Sequence, residues 1–170
     1  MLIRLATTDD AEAVRRIYNV EVETSTATFD LVPRTLQEQR AWLAARSGAF
    51  SAIVAEEAGQ VVGFAALSAY KERAAYRTTV EDSVYVDRDC HGRGYGRALL
   101  TRLVEVATES GFHAVMARIE ASGTASLGLH EACGFELVGV EREVGRKFNR
   151  WLDVAVMQRM LTDPSAGGLA

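Results

Sequence analysis

Three observations predict an α/β fold, a single mixed and mostly antiparallel sheet of about seven strands covered by about four helices. Apolar runs of strand length recur along the chain between turn residues, helical patterns open at capping signals, and one strand feeds a glycine loop that runs straight into a helix. The chain has 170 residues, 48% of them hydrophobic and 25% charged, which suits one domain with a substantial core.

The elements follow in order. Residues 2–7 alternate like a short strand, and Thr7 with Asp10 forms a capping signal for a helix whose buried face carries Val14, Ile17 and Tyr18. A second helix starts at Thr35, with Glu38 in the reciprocal capping position after Pro33. It carries Leu36, Trp42 and Leu43 and ends near Ser47 and Gly48. The runs 50–57 and 60–70, joined at Ala58-Gly59, read as an antiparallel hairpin. Residues 71–86 begin polar and become a strand by about Val80. After the glycine loop, Leu99, Leu100, Leu103, Val106 and Ala107 repeat at helical spacing up to a stop at Gly111. Residues 113–121 read as a largely buried strand, 122–134 as a short helix closed by Gly134, and 135–145 with 150–161 as a final strand pair. Residues 163–170 form an expected flexible tail behind a domain spanning 1–162.

Composition narrows function. The formal net charge is −4 and the basic residues are scattered among acidic ones, so no broad footprint for nucleic acid is present. The N-terminus has no continuous apolar segment, and the most apolar later run, 61–70, is too short to span a bilayer, so no membrane association is expected. Cys90 and Cys133 lack the spacing of a disulfide framework or zinc site, so no metal is expected and a reducing cytoplasm is the location inferred. Both cysteines read as small packing residues, without the adjacent base that a nucleophile needs.

The loop at 87–100, DRDCHGRGYGRALL, carries the chemistry. A triphosphate loop needs Lys-Ser or Lys-Thr after its last glycine, and Arg97-Ala98 stands there. A dinucleotide fingerprint from Gly94 and Gly96 needs a third small residue where Leu99 stands. A strand, a loop exposing successive N–H groups and a helix N-terminus remain, an arrangement that suits a pyrophosphate. An ordinary glycine-rich turn is the bland alternative.

HGRGYG (91–96) resembles the signature of the GCN5-related N-acetyltransferases, Gln/Arg-x-x-Gly-x-Gly/Ala, with His91 in the Gln/Arg position. IYNVEVETSTATFD (17–30), RAAYRTTVEDSVYV (73–86), LHEACGF (129–135) and VGRKFNRWLDVAVMQ (144–158) narrow the resemblance to the phosphinothricin and methionine sulfoximine acetyltransferases. Gly123 departs from the asparagine usual in that branch.

The resemblance implies a sheet splayed near its middle, with acetyl-CoA between the strand at 80–86 and that at 113–120. The pantetheine arm would lie along Val84, Tyr85 and Val86, and the pyrophosphate on His91, Gly92, Arg93, Gly94, Tyr95, Gly96 and Arg97. It further implies direct transfer to the α-amine of a small amino-acid analogue, and a homodimer. Acyl transfer to an ammonium needs a base, a polarised carbonyl and a proton for the leaving thiolate. Glu81 shares a strand face with Ser83 and Tyr85 near the thioester end, and the resemblance makes it the general base; a solvated strand-end carboxylate is the alternative. His130 reads either as a satisfied buried histidine or, by the resemblance, as the acid or proton relay. Arg73 and Tyr76 are expected to hold the acceptor, an arginine fork suiting a carboxylate. Phe29 reads equally as acceptor wall or packing. Lys147 is placed near the acceptor by the resemblance, and Trp151 reads as core. A peptide N-terminal acetyltransferase and a non-catalytic acetyl-CoA-binding module are the alternative functions.

Overall fold

The computed structural model describes residues 1–161; the tail expected at 163–170, and with it the domain's end at 162, lies outside the described residues. Seven strands form one sheet: β1 (Leu2–Leu5), β2 (Ala52–Glu57), β3 (Gln60–Ala69), β4 (Thr79–Val86), β5 (Ala114–Glu120), β6 (Glu136–Lys147) and β7 (Arg150–Met160). Their order is β1-β2-β3-β4-β5-β7-β6, antiparallel throughout except for β4 beside β5. Four helices cover it: α1 (Ala11–Thr24), α2 (Leu36–Ala44), α3 (Tyr95–Glu109) and α4 (Thr124–Ala132).

Local chemistry sets these elements. Thr7 N–H donates to Asp10 at 2.8 Å, but the turn it caps is a short 3-10 turn, so α1 begins at Ala11. Glu38 N–H donates to the Thr35 hydroxyl at 3.2 Å while Thr35 N–H donates to the Glu38 carboxylate at 2.7 Å, which fixes the start of α2. That helix ends at Ala44, short of Ser47, because the chain leaves it for a second 3-10 turn. Ala58 and Gly59 both take the left-handed conformation, at φ 50° and 77°, which matches the twist of a two-residue hairpin.

The two faces of the sheet differ. Leu99, Leu100 and Leu103 of α3, each fully buried, pack on Ile53, Ala65, Leu67, Val80 and Val115. Burying each such side chain contributes about 1.5–3 kcal/mol. On the other face Val14, Ile17, Tyr18 and Val22 of α1 meet Val54 and Phe64, with Tyr85 of β4 against them. Val80, Val84 and Val86 of β4 therefore face α3, whereas Tyr85, and with it Ser83 and Glu81 by the two-residue period, face the α1 side. Cys133 is buried in the α3-side core and Cys90 packs against it, both as free thiols. Trp151, expected in the core, is 60% exposed: it lies at the β6–β7 hairpin end, where Leu152 rather than Trp151 turns inward.

Candidate active site

The sheet forks. β4 and β5 pair only through Thr79–Glu81 against Ala114–Met116, and then β4 continues to Val86 and β5 to Glu120 without pairing to each other. Asp87 N–H donates to Val62 O at 2.8 Å, and Tyr85 sits opposite Phe64, so the backbone groups of the odd residues of β4 point at β3. By alternation those of Val84 and Val86 point into the opening. This corrects the expectation for Tyr85: its backbone is committed to β3 and its ring to the α1-side aromatic cluster, at 5.1 Å from Tyr18 and 5.3 Å from Phe64.

The glycine loop closes one end of the opening. Gly92 and Gly94 lie at φ 73° and 85°, in the left-handed region, with open space around both, and α3 begins at Tyr95 with no acidic residue in its first turn. Successive N–H groups and the helix dipole thus converge on a site fit for a pyrophosphate. Gly96 answers to packing instead, since a Cβ there would stand 3.2 Å from Leu129 of α4. His91 Nε2 lies 3.0 Å from the Val86 carbonyl and donates to it, closing off the upper end of the free strand edge. Glutamine, arginine and histidine all carry an N–H donor, which accounts for histidine at a Gln/Arg position. Arg93 is paired with Glu57 at 2.8 Å, and Tyr95 buries its ring in the α3-side core with its hydroxyl donating to the same carboxylate; Arg97 is exposed on the first turn. Of these, the loop N–H groups and Arg97 are the groups left to an anion.

Glu81 is the last β4 residue paired to β5 and so stands at the base of the fork. Burial pushes its carboxyl above the ordinary carboxylate range, helped by Asp82 and Glu141 and opposed by the Arg118 charge. On β5 the odd residues Val115, Ala117 and Ile119 enter the α3-side core, so Met116, Arg118 and Glu120 share Glu81's face. Arg118 pairs with Glu141 of β6 at 2.6 Å. Glu120 accepts from the Thr26 hydroxyl at 2.9 Å. Neither Arg118 nor Glu120 stood out in the sequence, where this strand reads as almost continuously apolar.

His130 lies on the opposite face. It is buried, with Nδ1 donating to Ser126 O at 2.7 Å and Nε2 3.0 Å from Asp82 Oδ2, so neither ring nitrogen is without a partner. Burial lowers its pKa, but the hydrogen bond and charge of Asp82 outweigh it and the net shift is upward. The pair ties α4 to β4 at the first β4 residue beyond the fork; service as an acid would require Nε2 to leave Asp82.

The segment after α1 crosses the α1 side of the opening. Thr26 reaches β5 through Glu120, and the Thr28 hydroxyl meets the Tyr18 phenol at 2.9 Å. Tyr18 in turn donates to Asp30 at 2.6 Å. Lys147, expected to hold the acceptor, is buried, and its ammonium donates to Thr28 O at 2.8 Å and Glu21 O at 3.4 Å. It fastens this segment to β6 with two of its three donors, from a buried position. Phe29, 39% exposed, packs its ring against Gly145, where a Cβ would collide with it. Arg73 and Tyr76 line a shallow depression with Lys71, Phe50 and Phe112, and Glu81 is not in its wall. The Tyr76 ring packs edge-on against Tyr70 at 5.7 Å. The depression therefore does not join the expected acceptor ligands to the expected base. Gly123 caps α4, and a Cβ there would press on Glu120 O at 3.0 Å, so the glycine suits its local backbone.

Comparison with known proteins agrees with this geometry. The acetyltransferase (GNAT) domain family matches residues 3–156. A phosphinothricin N-acetyltransferase of Alcaligenes faecalis is 43% identical over 94% of this chain and 82% of its own. An L-methionine sulfoximine/L-methionine sulfone acetyltransferase of Pseudomonas paraeruginosa is 40% identical over 96% of this chain and 95% of its own. The structure of a Salmonella typhimurium acetyltransferase with its cofactor acetyl-CoA superposes with a TM-score of 0.93 at 36% identity, covering 100% of this chain and 99% of that one.

Proposed function

The chain belongs to the GNAT family of acetyltransferases, whose acyl donor is acetyl-CoA, and from that premise we propose that it acetylates the α-amine of small amino-acid analogues such as phosphinothricin, methionine sulfoximine and methionine sulfone. The observation that carries this reading is the position of Glu81, half-buried at the base of the fork, on the α1 face of the sheet.

Bound in the fork, acetyl-CoA supplies an activated thioester. The loop N–H groups from Gly92 to Gly96, the start of α3 and Arg97 hold its pyrophosphate, while the His91 N–H donates to Arg88 O, and the Val84 C=O and the Val86 N–H pair with the arm that reaches down towards Glu81. Glu81 takes a proton from the acceptor ammonium, directly or through water. A raised pKa makes it a stronger base at neutral pH than an exposed glutamate. The freed amine forms its C–N bond at the carbonyl carbon while Val84 N–H steadies the charge gathering on the carbonyl oxygen. The C–S bond breaks with its electron pair on sulfur, and the proton that the new amide nitrogen gives up passes through water to the thiolate. His130 contributes by position, holding α4 against β4 through Asp82.

Release of free thiol from acetyl-CoA, measured against a panel of amino-acid analogues, polyamines and peptides, tests the reading. Turnover should centre on the amino-acid analogues; release with peptides alone would overturn the substrate class. A homodimer accords with the edge strand β6 and its β7 neighbour, where Leu137, Val138, Val140, Val144 and Trp151 are exposed. Sedimentation at the mass of one chain would contradict it. Among the described residues no helix is long and apolar enough to cross a membrane. Action in the cytoplasm accords with two free cysteines and with this donor, and cell fractionation tests it.

A further inference from the structure

We propose that Arg118 binds the acceptor's carboxylate; this rests on the amino-acid reading above and assigns that reading its recognition residue. An α-amino acid brings a carboxylate two bonds from the amine it offers to Glu81, and a site for it needs a cation on Glu81's side of the sheet but across the opening. Arg118 is such a cation. Glu81 is paired with Met116, and Arg118 follows two residues later on the same face of β5, the first side chain on that lip beyond the fork. Its charge reaches Glu81, drawing that carboxyl down against its burial.

The guanidinium is also presented in a usable form. It makes a two-pronged contact with Glu141, at 2.6 and 3.4 Å, while the two side chains remain 36% and 40% exposed. An ion pair so open to water contributes only about 0–1 kcal/mol, so an incoming carboxylate shares or displaces Glu141 at small cost. Glu141 meanwhile holds the arginine fork on this face in the absence of acceptor. Arg73 lies in the wall of the β3–β4 depression, which Glu81 does not share, and Lys147 is buried against the Glu21 and Thr28 carbonyls, so neither competes for the role.

The test compares a carboxylate-bearing acceptor, methionine sulfone, with the amine left when its carboxylate is replaced by hydrogen. In Arg118→Ala the KM for methionine sulfone should rise about tenfold or more, the scale of one charge-assisted hydrogen bond, with acetyl-CoA KM unchanged. The decarboxylated amine, which shares only the effect of the Arg118 charge on Glu81, should lose far less kcat/KM in the variant than methionine sulfone does. Arg118→Lys should recover part of the loss. Glu141→Gln, which frees the guanidinium, should lower the KM for methionine sulfone, and it keeps the question open to experiment should Arg118→Ala fold poorly. Equal losses on both acceptors, or unchanged KM for methionine sulfone in both variants, would overturn the assignment. A wild-type protein that acetylates amines but none bearing a carboxylate would overturn the amino-acid reading itself.

Discussion

His130 shows how one side chain's protonation is written into stability. Its folded pKa is raised above the unfolded value of about 6.5, because Asp82 outweighs burial. The proton bound by the folded state therefore contributes stability that is fully present below the unfolded pKa and is lost as pH rises through the folded one. Replacing His130 by Phe leaves Asp82 buried and unpaired, at a cost of about 3–5 kcal/mol. The thermal midpoint of the wild type should fall as pH rises from mild acid through the folded His130 pKa, with His130→Phe less stable at both ends of that range; a wild-type midpoint independent of pH there would contradict this account. The sequence offers only a histidine three residues after Leu127 in a short helix. Its partner, Asp82, lies 48 residues away and is brought to it by the parity of β4.

At the scale of elements, the segment between α1 and α2 depends on the far end of the chain. Gly145 and Lys147 share one face of β6: the first accepts the Phe29 ring, and the second pins Thr28 and the end of α1. Lys147→Met keeps the stem but leaves two carbonyls without this donor, a cost of about 1–3 kcal/mol, and Gly145→Ala pushes on Phe29 directly. Both should raise the acceptor's KM with acetyl-CoA KM unchanged, and steady-state kinetics with each substrate varied in turn reads the difference. Unchanged acceptor KM in both variants would remove this segment from the acceptor site. Periodicity and capping made the elements themselves legible, as at Thr35 with Glu38 and at the Ala58-Gly59 turn. What each strand's polar groups and outward side chains face was not legible. Tyr85 is committed to β3 by register, Arg118 stands on the α1 side of a strand that reads as core, and Trp151 falls outside the helices' cover.

The whole molecule is a sheet that pairs β4 with β5 for three residues and then parts them, with a glycine-and-helix cradle at one end of the opening and a carboxylate at its base. The cradle was readable because left-handed turns and a helix start leave glycines at set spacing. The base was readable because Glu81 shares a strand face with Ser83 and Tyr85 near the expected thioester end, and the family resemblance gave it its role. The fork was not, since it depends on where two strands 35 residues apart, Thr79 and Ala114 onward, stop pairing, and only the family resemblance implied it. The proton transfer that frees the acceptor amine for attack passes through Glu81 at that fork. The most direct test is the pH dependence of kcat/KM for a small amino-acid acceptor in wild type and Glu81→Gln. Wild type should lose activity on an acid limb lying above the ordinary carboxylate range, because protonation of the raised carboxyl removes the base. In Glu81→Gln that limb should vanish and turnover should fall about 100-fold or more, with acetyl-CoA KM unchanged. Wild-type turnover in Glu81→Gln with the acid limb intact would contradict the account.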